Sequence, residues 1–202
     1  MLAKGWNGKV VVEGGLILFV LGLSETNPSI PEFEVKQHKM PSANNIAFTA
    51  PINSPGASPV LTYAQIWQGL EKKVRAGQDF VGGAITSTDV ISTSKTKHGN
   101  DVTVREVVFR DGGRRVREEC IAFPPMKVEF HQPNGSTVQN VVSEDAEGNL
   151  FMTYTFEWLH PELEGDEAGL AAAKDKEFNV AKMAVNKSIE TIREMVKDGR
   201  IK

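Results

Sequence analysis

Residues 150–158, LFMTYTFEW, alternate between two kinds of side chain, and this alternation constrains the fold more than any other feature of the chain. One parity is large and apolar, while the other is mostly small and polar. The large apolar members are Leu150, Met152, Tyr154, Phe156 and Trp158. A period of two is typical of a strand with one buried face. The chain must therefore place this strand in a sheet and cover its apolar face.

From about residue 167 to residue 197 the period of the apolar residues changes. They now recur at steps of three and four, which is the spacing of one face of an α-helix. The stripe consists of Phe178, Ala181, Val185, Ile189, Ile192 and Val196. A long strand followed by a long terminal helix predicts a sheet that packs against that helix.

Six consecutive strand-like segments, separated by turn signals, fill the centre of the chain. They are residues 85–95, 102–109, 114–123, 127–132, 137–143 and 149–158. Residues 45–52 form a further predicted strand, and the capping-box spacing of Thr62 and Gln65 begins a helix that ends near residue 76. Residues 79–84 are either a second short helix or a turn. The predicted fold class is α+β, with a sheet of about seven antiparallel strands and one or two short helices after the first strand.

Five stretches resemble a known family. They are LTYAQIWQGL (61–70), VREVVF (104–109), VREE (116–119), PPMKVEF (124–130) and LFMTYTFEW (150–158). They are similar to the fungal AtaL-like family of the SRPBCC superfamily, which also includes START lipid-binding domains and the birch-pollen allergen. The resemblance covers roughly residues 47–196. It implies a helix-grip fold, in which a curved sheet wraps around the C-terminal helix, and a role near secondary-metabolite pathways, but it transfers no catalytic residue.

Charge and motifs exclude several classes of ligand. A net charge of −3 gives no electrostatic attraction to nucleic acid. The apolar run at residues 14–23 has about half of the ~20 residues that a membrane span needs. The four histidines lack metal-ligand spacing, and no glycine-rich phosphate loop is present. We therefore expect no nucleic acid, membrane span, metal or cofactor, while the sequence sets no oligomeric state.

The first 39 residues differ from the rest and are predicted to be an N-terminal extension, or residues ahead of a start at Met40. The helix-grip domain would then occupy residues 40–202. The single cysteine, Cys120, predicts a buried thiol in a reducing compartment, and hence a cytoplasmic protein. The alternative is secretion, with residues 1–24 as a signal peptide, because Lys4 and Lys9 precede the apolar run.

In a helix-grip fold the gap between sheet and terminal helix can hold an apolar ligand. The residues predicted to face it are Met152, Tyr154, Phe156 and Trp158 from the strand, and Phe178, Val185 and Ile189 from the helix. The alternative is that these side chains fill the gap and form only a packed core.

Charged residues in the hairpin 102–123 define two further hypotheses. A three-residue turn at 111–113 places Glu106 and Glu118 on one face, as a candidate catalytic acid/base pair. A two-residue turn instead places Arg105 and Glu118 on one face, as a diagonal pair that anchors a ligand oxygen. A third possibility is that these charges lie on the solvated outer face.

Three functions follow. The first is binding of a small hydrophobic or aromatic metabolite. The second is a cyclase, dehydratase or isomerase acting on a polyketide-like intermediate. In that case Glu118 or Glu106 would serve as acid/base, and Tyr154 or Arg105 would polarise an oxygen. The third is an interaction module with a packed core and no ligand.

Overall fold

A computed structural model describes residues 42–202, together with the backbone of two short strands near the N-terminus. These strands, β1 (Val10–Glu13) and β2 (Leu16–Phe19), pair antiparallel with each other. The chain groups into two units, Met1–Lys39 and Met40–Lys202, and the second unit carries all the features below. The predicted extension at residues 1–39 and the alternative signal at residues 1–24 otherwise lie outside the described residues.

Seven antiparallel strands form one sheet in the second unit. They are β3 (Ala43–Pro51), β4 (Ile85–Lys95), β5 (Asp101–Phe109), β6 (Arg115–Phe123), β7 (Lys127–His131), β8 (Thr137–Glu144) and β9 (Leu150–Leu159). Their order across the sheet is β3-β9-β8-β7-β6-β5-β4, so β4 to β9 form a meander and β3 joins beside β9. The predicted α+β fold class, with its antiparallel sheet and long C-terminal helix, is confirmed.

Helix α1 (Tyr63–Arg75) begins at the predicted capping box. The Thr62 side chain accepts a hydrogen bond from the Gln65 backbone N–H, and the Gln65 side chain accepts one from the Thr62 backbone N–H. A 3₁₀ turn, Gly77–Asp79, follows α1, and the next residues form an ordinary turn instead of a second α-helix. The long helix α2 (Glu167–Lys197) begins after Asp166, whose side chain accepts from the Gly169 N–H.

The main core lies between the inner face of the sheet and the two helices. Ile66 and Leu70 of α1, Met152 of β9, and Val185 and Ile192 of α2 are all fully buried there. The predicted apolar stripes of both helices therefore do cover the sheet. In the part of the chain that the structure describes, no helix is long and apolar enough to cross a membrane.

Candidate functional site

A cavity of about 140 Å³ lies between the inner face of the sheet, the C-terminal end of α1 and the middle of α2. Its walls are mainly apolar, and they include Phe109, Phe130, Val138, Phe156 and Trp158. Val180 and Met183 of α2 also line it, and because they are about two-fifths exposed they mark its mouth. An apolar cavity of about this size holds one small aromatic ring.

The β5–β6 hairpin brings one buried ion pair to this cavity. The Phe109 N–H donates to the Arg114 carbonyl, which closes a loop of four residues. This loop contains Gly112 and Gly113 at positive φ angles of 61° and 62°, a conformation that glycine adopts without strain. Arg105 therefore lies directly opposite Glu118. The loop is longer than either predicted turn, but Arg105 and Glu118 share one face and pair, as the second hypothesis predicted, directly and not diagonally.

Arg105 is held by four hydrogen bonds. Its Nε and Nη2 donate to Glu118 Oε2 at 2.9 and 2.6 Å, and its Nη1 donates to the carbonyls of Lys73 and Val74 at 2.9 and 3.0 Å. Gln132 Nε2 donates to the other Glu118 oxygen at 3.1 Å. The ion pair therefore satisfies carbonyls at the end of α1 that lack helical partners, and it attaches that helix to the sheet.

Glu106 does not join this site, which corrects the hypothesis of two neighbouring carboxylates. Its neighbours Arg105 and Val107 face inward, so Glu106 points to the other side of the sheet. There it accepts a hydrogen bond from Arg115 Nη1 at 2.6 Å, in a pair that is largely exposed. The four-residue loop is the physical reason, because it pairs Arg105, not Glu106, with Glu118.

Lys73 is a buried lysine that lines the same cavity. It follows Leu70 by three residues and Ile66 by seven, so it falls on the buried stripe of α1, and only 6% of it is exposed. Its Nζ lies 4.0 Å from the centre of the Tyr154 ring and makes no hydrogen bond or ion pair within residues 42–202. Burial, and then the charge of Arg105, lower the pKa of Lys73 well below its usual value, although Glu118 acts in the opposite direction.

The Tyr154 ring does not compensate for burying a charged amine at this position. A cation over an aromatic face gains about 2 kcal/mol when it is desolvated. Burying an unpaired ammonium group costs several kcal/mol. Burial therefore shifts the Lys73 amine towards its neutral form, which has a free electron pair.

Three further buried polar atoms in this region have no hydrogen-bond partner among the described residues. They are Asn140 Oδ1, Tyr154 Oη and Ser188 Oγ. Asn140 and Tyr154 both line the cavity and face each other across β8 and β9. Burial raises the pKa of the Tyr154 hydroxyl, and the Ser188 hydroxyl, which is close to it but outside hydrogen-bonding geometry, only partly offsets this rise. An unsatisfied buried group costs about 1–3 kcal/mol, so such groups commonly serve a ligand or a water molecule.

The predicted ligand-contact residues occupy three different places, namely the cavity wall, the packed core and, for Phe178, the surface beside β3. Arg105, Glu118, Tyr154, Phe156 and Trp158 line the cavity, and the Phe156 and Trp158 rings lie with their centres 4.5 Å apart. The other apolar residues predicted on the inward faces do not line it. Met152, Val185 and Ile189 are packed into the core instead.

Phe178 departs from the prediction that it faces the gap. It is 46% exposed and meets Phe48 edge-on, with ring centres 6.0 Å apart. The physical reason is its place on α2, in early turns that are mostly exposed and that lie beside β3, the strand at the edge of the sheet, where Asn44 also bonds Glu177. The helical stripe therefore reaches the core only from Ala181 onward.

Sequence reasoning missed Lys73, Gln132 and Asn140, although a signal was present for each. Lys73 occupies an apolar-stripe position in α1. Asn140 and Gln132 share the inward parity of their strands, next to Val138 and Phe130.

Among residues 42–202, no group of three or more His, Cys, Asp and Glu side chains is arranged to hold a metal. Burial raises the pKa of the Cys120 thiol to about 12.

The fold and the cavity define a class of protein: a helix-grip protein of the SRPBCC type, with a curved antiparallel sheet packed on a long C-terminal helix. Within that class the chain belongs to the AtaL family. The family model, described as acetylaranotin biosynthesis cluster protein L, matches residues 46–199. No curated protein sequence matches the chain significantly.

Solved structures are similar to this chain at low sequence identity. The di-domain ARO/CYC protein StfQ, from the steffimycin biosynthetic pathway, superposes with a TM-score of 0.54 and 9% identity over 78% of this chain. The match covers 52% of StfQ, so this chain spans about half of that protein. XoxI from Bacillus cereus matches with a TM-score of 0.44 and 15% identity, over 79% of this chain and 99% of XoxI.

Proposed function

We propose that this protein binds a small hydrophobic or aromatic metabolite of a biosynthetic pathway in the cavity between its sheet and α2. One observation carries the proposal: within residues 42–202, Asn140 Oδ1 and Tyr154 Oη have no hydrogen-bond partner, and both residues line a cavity whose walls are mainly apolar. The aromatic wall accepts the ring of the ligand. Asn140 and Tyr154 meet its oxygen atoms, because both side chains have unused hydrogen-bonding capacity.

The size of the cavity limits how the ligand lies. About 140 Å³ accommodates one ring, so a larger metabolite extends past Val180 and Met183 towards solvent. The AtaL family and the fold shared with an ARO/CYC protein support a ligand of polyketide type. Such molecules combine aromatic rings with carbonyl and hydroxyl oxygens, and this cavity offers a surface for each.

Ligand-observed NMR with phenol and benzyl alcohol as probes tests the proposal. We expect both probes to bind the wild-type protein, and a Val180→Trp variant to weaken binding at least tenfold by filling the mouth. Val90→Trp is the matched control, because Val90 is an exposed valine on β4 that does not line the cavity. Equal binding by wild type and both variants would place the probes elsewhere. Absence of binding to wild type would favour the interaction module with a packed core.

A second function, an enzyme acting on a polyketide-like intermediate, is favoured by the unpaired amine of Lys73. Glu118 is less suited to acid/base chemistry, because both of its oxygens already accept hydrogen bonds. Arg105 retains one N–H on Nη2 that can polarise an oxygen. A Lys73→Met variant that still binds a substrate but no longer converts it would select the enzyme, whereas unchanged behaviour would favour a carrier.

A further inference from the structure

We infer that Lys73 forms a covalent imine with the carbonyl carbon of an aldehyde or ketone bound in the cavity. This inference rests on the proposed function, because the ligand must first occupy that cavity. It assigns the ligand to a chemical class, the aldehydes and ketones, and it identifies Lys73 as a nucleophile of the site.

The placement of Lys73 is the first argument. Its side chain is more than nine-tenths buried and its amine lies over the Tyr154 ring, in the wall of the cavity. Its backbone carbonyl accepts a hydrogen bond from Arg105, which is itself fixed by Glu118. The lysine is therefore anchored at its backbone. Within residues 42–202, its amine has no acceptor that competes with a ligand.

The chemical state of the amine is the second argument. Only an unprotonated amine attacks a carbonyl carbon. Burial and the charge of Arg105 lower the pKa of Lys73, so the reactive form is favoured here and not at an exposed lysine. Lys72, the preceding residue on α1, is exposed. The two lysines thus provide a comparison within one helix.

The atoms of the reaction balance without another reagent. The amine electron pair adds to the carbonyl carbon, the carbonyl oxygen takes a proton, and the nitrogen loses one, which gives a carbinolamine. The C–O bond then breaks, the oxygen leaves as water with the second amine proton, and a C=N bond forms. Tyr154, whose ring lies under the Lys73 amine, would donate a hydrogen bond to the carbonyl oxygen, because its hydroxyl has no partner within residues 42–202 and burial favours its protonated form.

An imine changes what the bound molecule can do. A protonated imine withdraws electrons from the neighbouring carbon more strongly than the parent carbonyl does. A proton on that carbon is therefore lost more readily. Aldol-type ring closure and dehydration of a polycarbonyl chain both require this activation. The inference therefore defines one route by which this cavity performs the cyclase or dehydratase chemistry of the second candidate function.

Reductive trapping with benzaldehyde and sodium cyanoborohydride tests the inference on the full chain at neutral pH. Benzaldehyde fits the one-ring volume of the cavity, and the reductant converts an imine into a stable benzyl amine. Peptide mass spectrometry then locates the adduct. We expect Lys73 to be labelled at least tenfold faster than Lys72. Excess benzyl alcohol, which has no carbonyl, should slow labelling at Lys73 and leave Lys72 unchanged.

The possible outcomes separate this inference from the proposed function. If benzyl alcohol binds by NMR but Lys73 is labelled no faster than Lys72, the imine is refuted and the binding proposal stands. If benzyl alcohol does not bind and does not slow labelling, the proposed function and the inference both fail. Wild-type protein suffices for each measurement, so no result depends on a variant that fails to fold.

Discussion

The guanidinium group of Arg105 and the carboxylate of Glu118 lie directly opposite each other on β5 and β6, and they form a buried ion pair at 2.6 Å. The same guanidinium holds the last turn of α1 through two backbone carbonyls. One of those carbonyls belongs to Lys73. The pair therefore connects the sheet to the helix that carries the unpaired amine.

Replacing Arg105 with methionine should destabilise the protein by about 3–5 kcal/mol, because Glu118 is left as a buried charge without its partner. Arg115→Met is the matched control on the same hairpin. It breaks the exposed pair with Glu106 and should cost less than about 1 kcal/mol. Urea unfolding of both variants measures the difference. A similar loss in the free energy of unfolding for the two variants would show that burial adds nothing to the contribution of the Arg105–Glu118 pair.

Replacing Lys73 with methionine should increase the free energy of unfolding at pH 7. Each unit by which the folded-state pKa of Lys73 lies below the unfolded value costs about 1.4 kcal/mol, and removing the amine removes that cost. Between the lowered folded pKa and the usual lysine value of about 10.4, Lys73 binds more protons in the unfolded chain, so its contribution to stability rises with pH in that window.

Lys73→Met should remove this rise, while Lys72→Met should retain it because Lys72 is exposed. Unfolding measured between neutral pH and about pH 10 gives the slope for each protein. Equal slopes for wild type and Lys73→Met would assign the titration to groups other than Lys73.

Gly69 of α1 lies where α1 meets α2, and a Cβ at this position would overlap Cγ1 and Cδ1 of the buried Ile192. Alanine improves helix propensity by about 1 kcal/mol, but overpacking costs about 1–3 kcal/mol. We therefore expect Gly69→Ala to lower stability.

Ile192→Val removes the overlapping Cδ1, so it should cost less in the Gly69→Ala background than its usual cost of about 0.5–1.5 kcal/mol. A double-mutant cycle from thermal or urea unfolding measures this coupling. Additive effects would mean that the helices separate instead of straining Ile192.

His160 lies between two carboxylates, with Nδ1 2.9 Å from Glu162 and Nε2 2.7 Å from Glu177. Partial burial lowers the pKa of His160, but the hydrogen bonds and charges of both glutamates outweigh it and raise the pKa above its usual value. Since the folded pKa is raised, the stabilisation is complete below the unfolded value of about 6.5 and is lost as pH rises through the folded pKa.

His160→Asn should accordingly lose more stability at pH 6 than at pH 8.5. His98→Asn is the control, because His98 lies in an exposed turn and should show no such difference. Unfolding midpoints at the two pH values provide the comparison. An equal loss for His160→Asn at both pH values would mean that the histidine acts only through packing.

Local periodicity was sufficient to predict most of this fold. The capping-box spacing of Thr62 and Gln65 located the start of α1, and the alternation in residues 150–158 located β9. Both patterns depend on distances of a few residues along one element, where backbone geometry alone fixes the period. The family resemblance then supplied the way in which sheet and helix combine, and residues 46–199 do match the AtaL family.

The sequence by itself therefore determined which segments become strands and helices, and it placed Tyr154, Phe156 and Trp158 on the inner face. Only the tertiary structure decided the register of β5 and β6, because a shift of one residue exchanges Arg105 for Glu106 on that face and the local sequence permits several turn lengths. The tertiary structure also decided that the Lys73 amine has no hydrogen-bond or ion-pair partner within residues 42–202 and that a cavity remains beside it. Those features depend on how side chains from six strands and two helices fill a shared volume, and the sequence of any one strand or helix does not determine that volume. The ligand-binding role of the predicted residues stays a prediction that the probe experiments test.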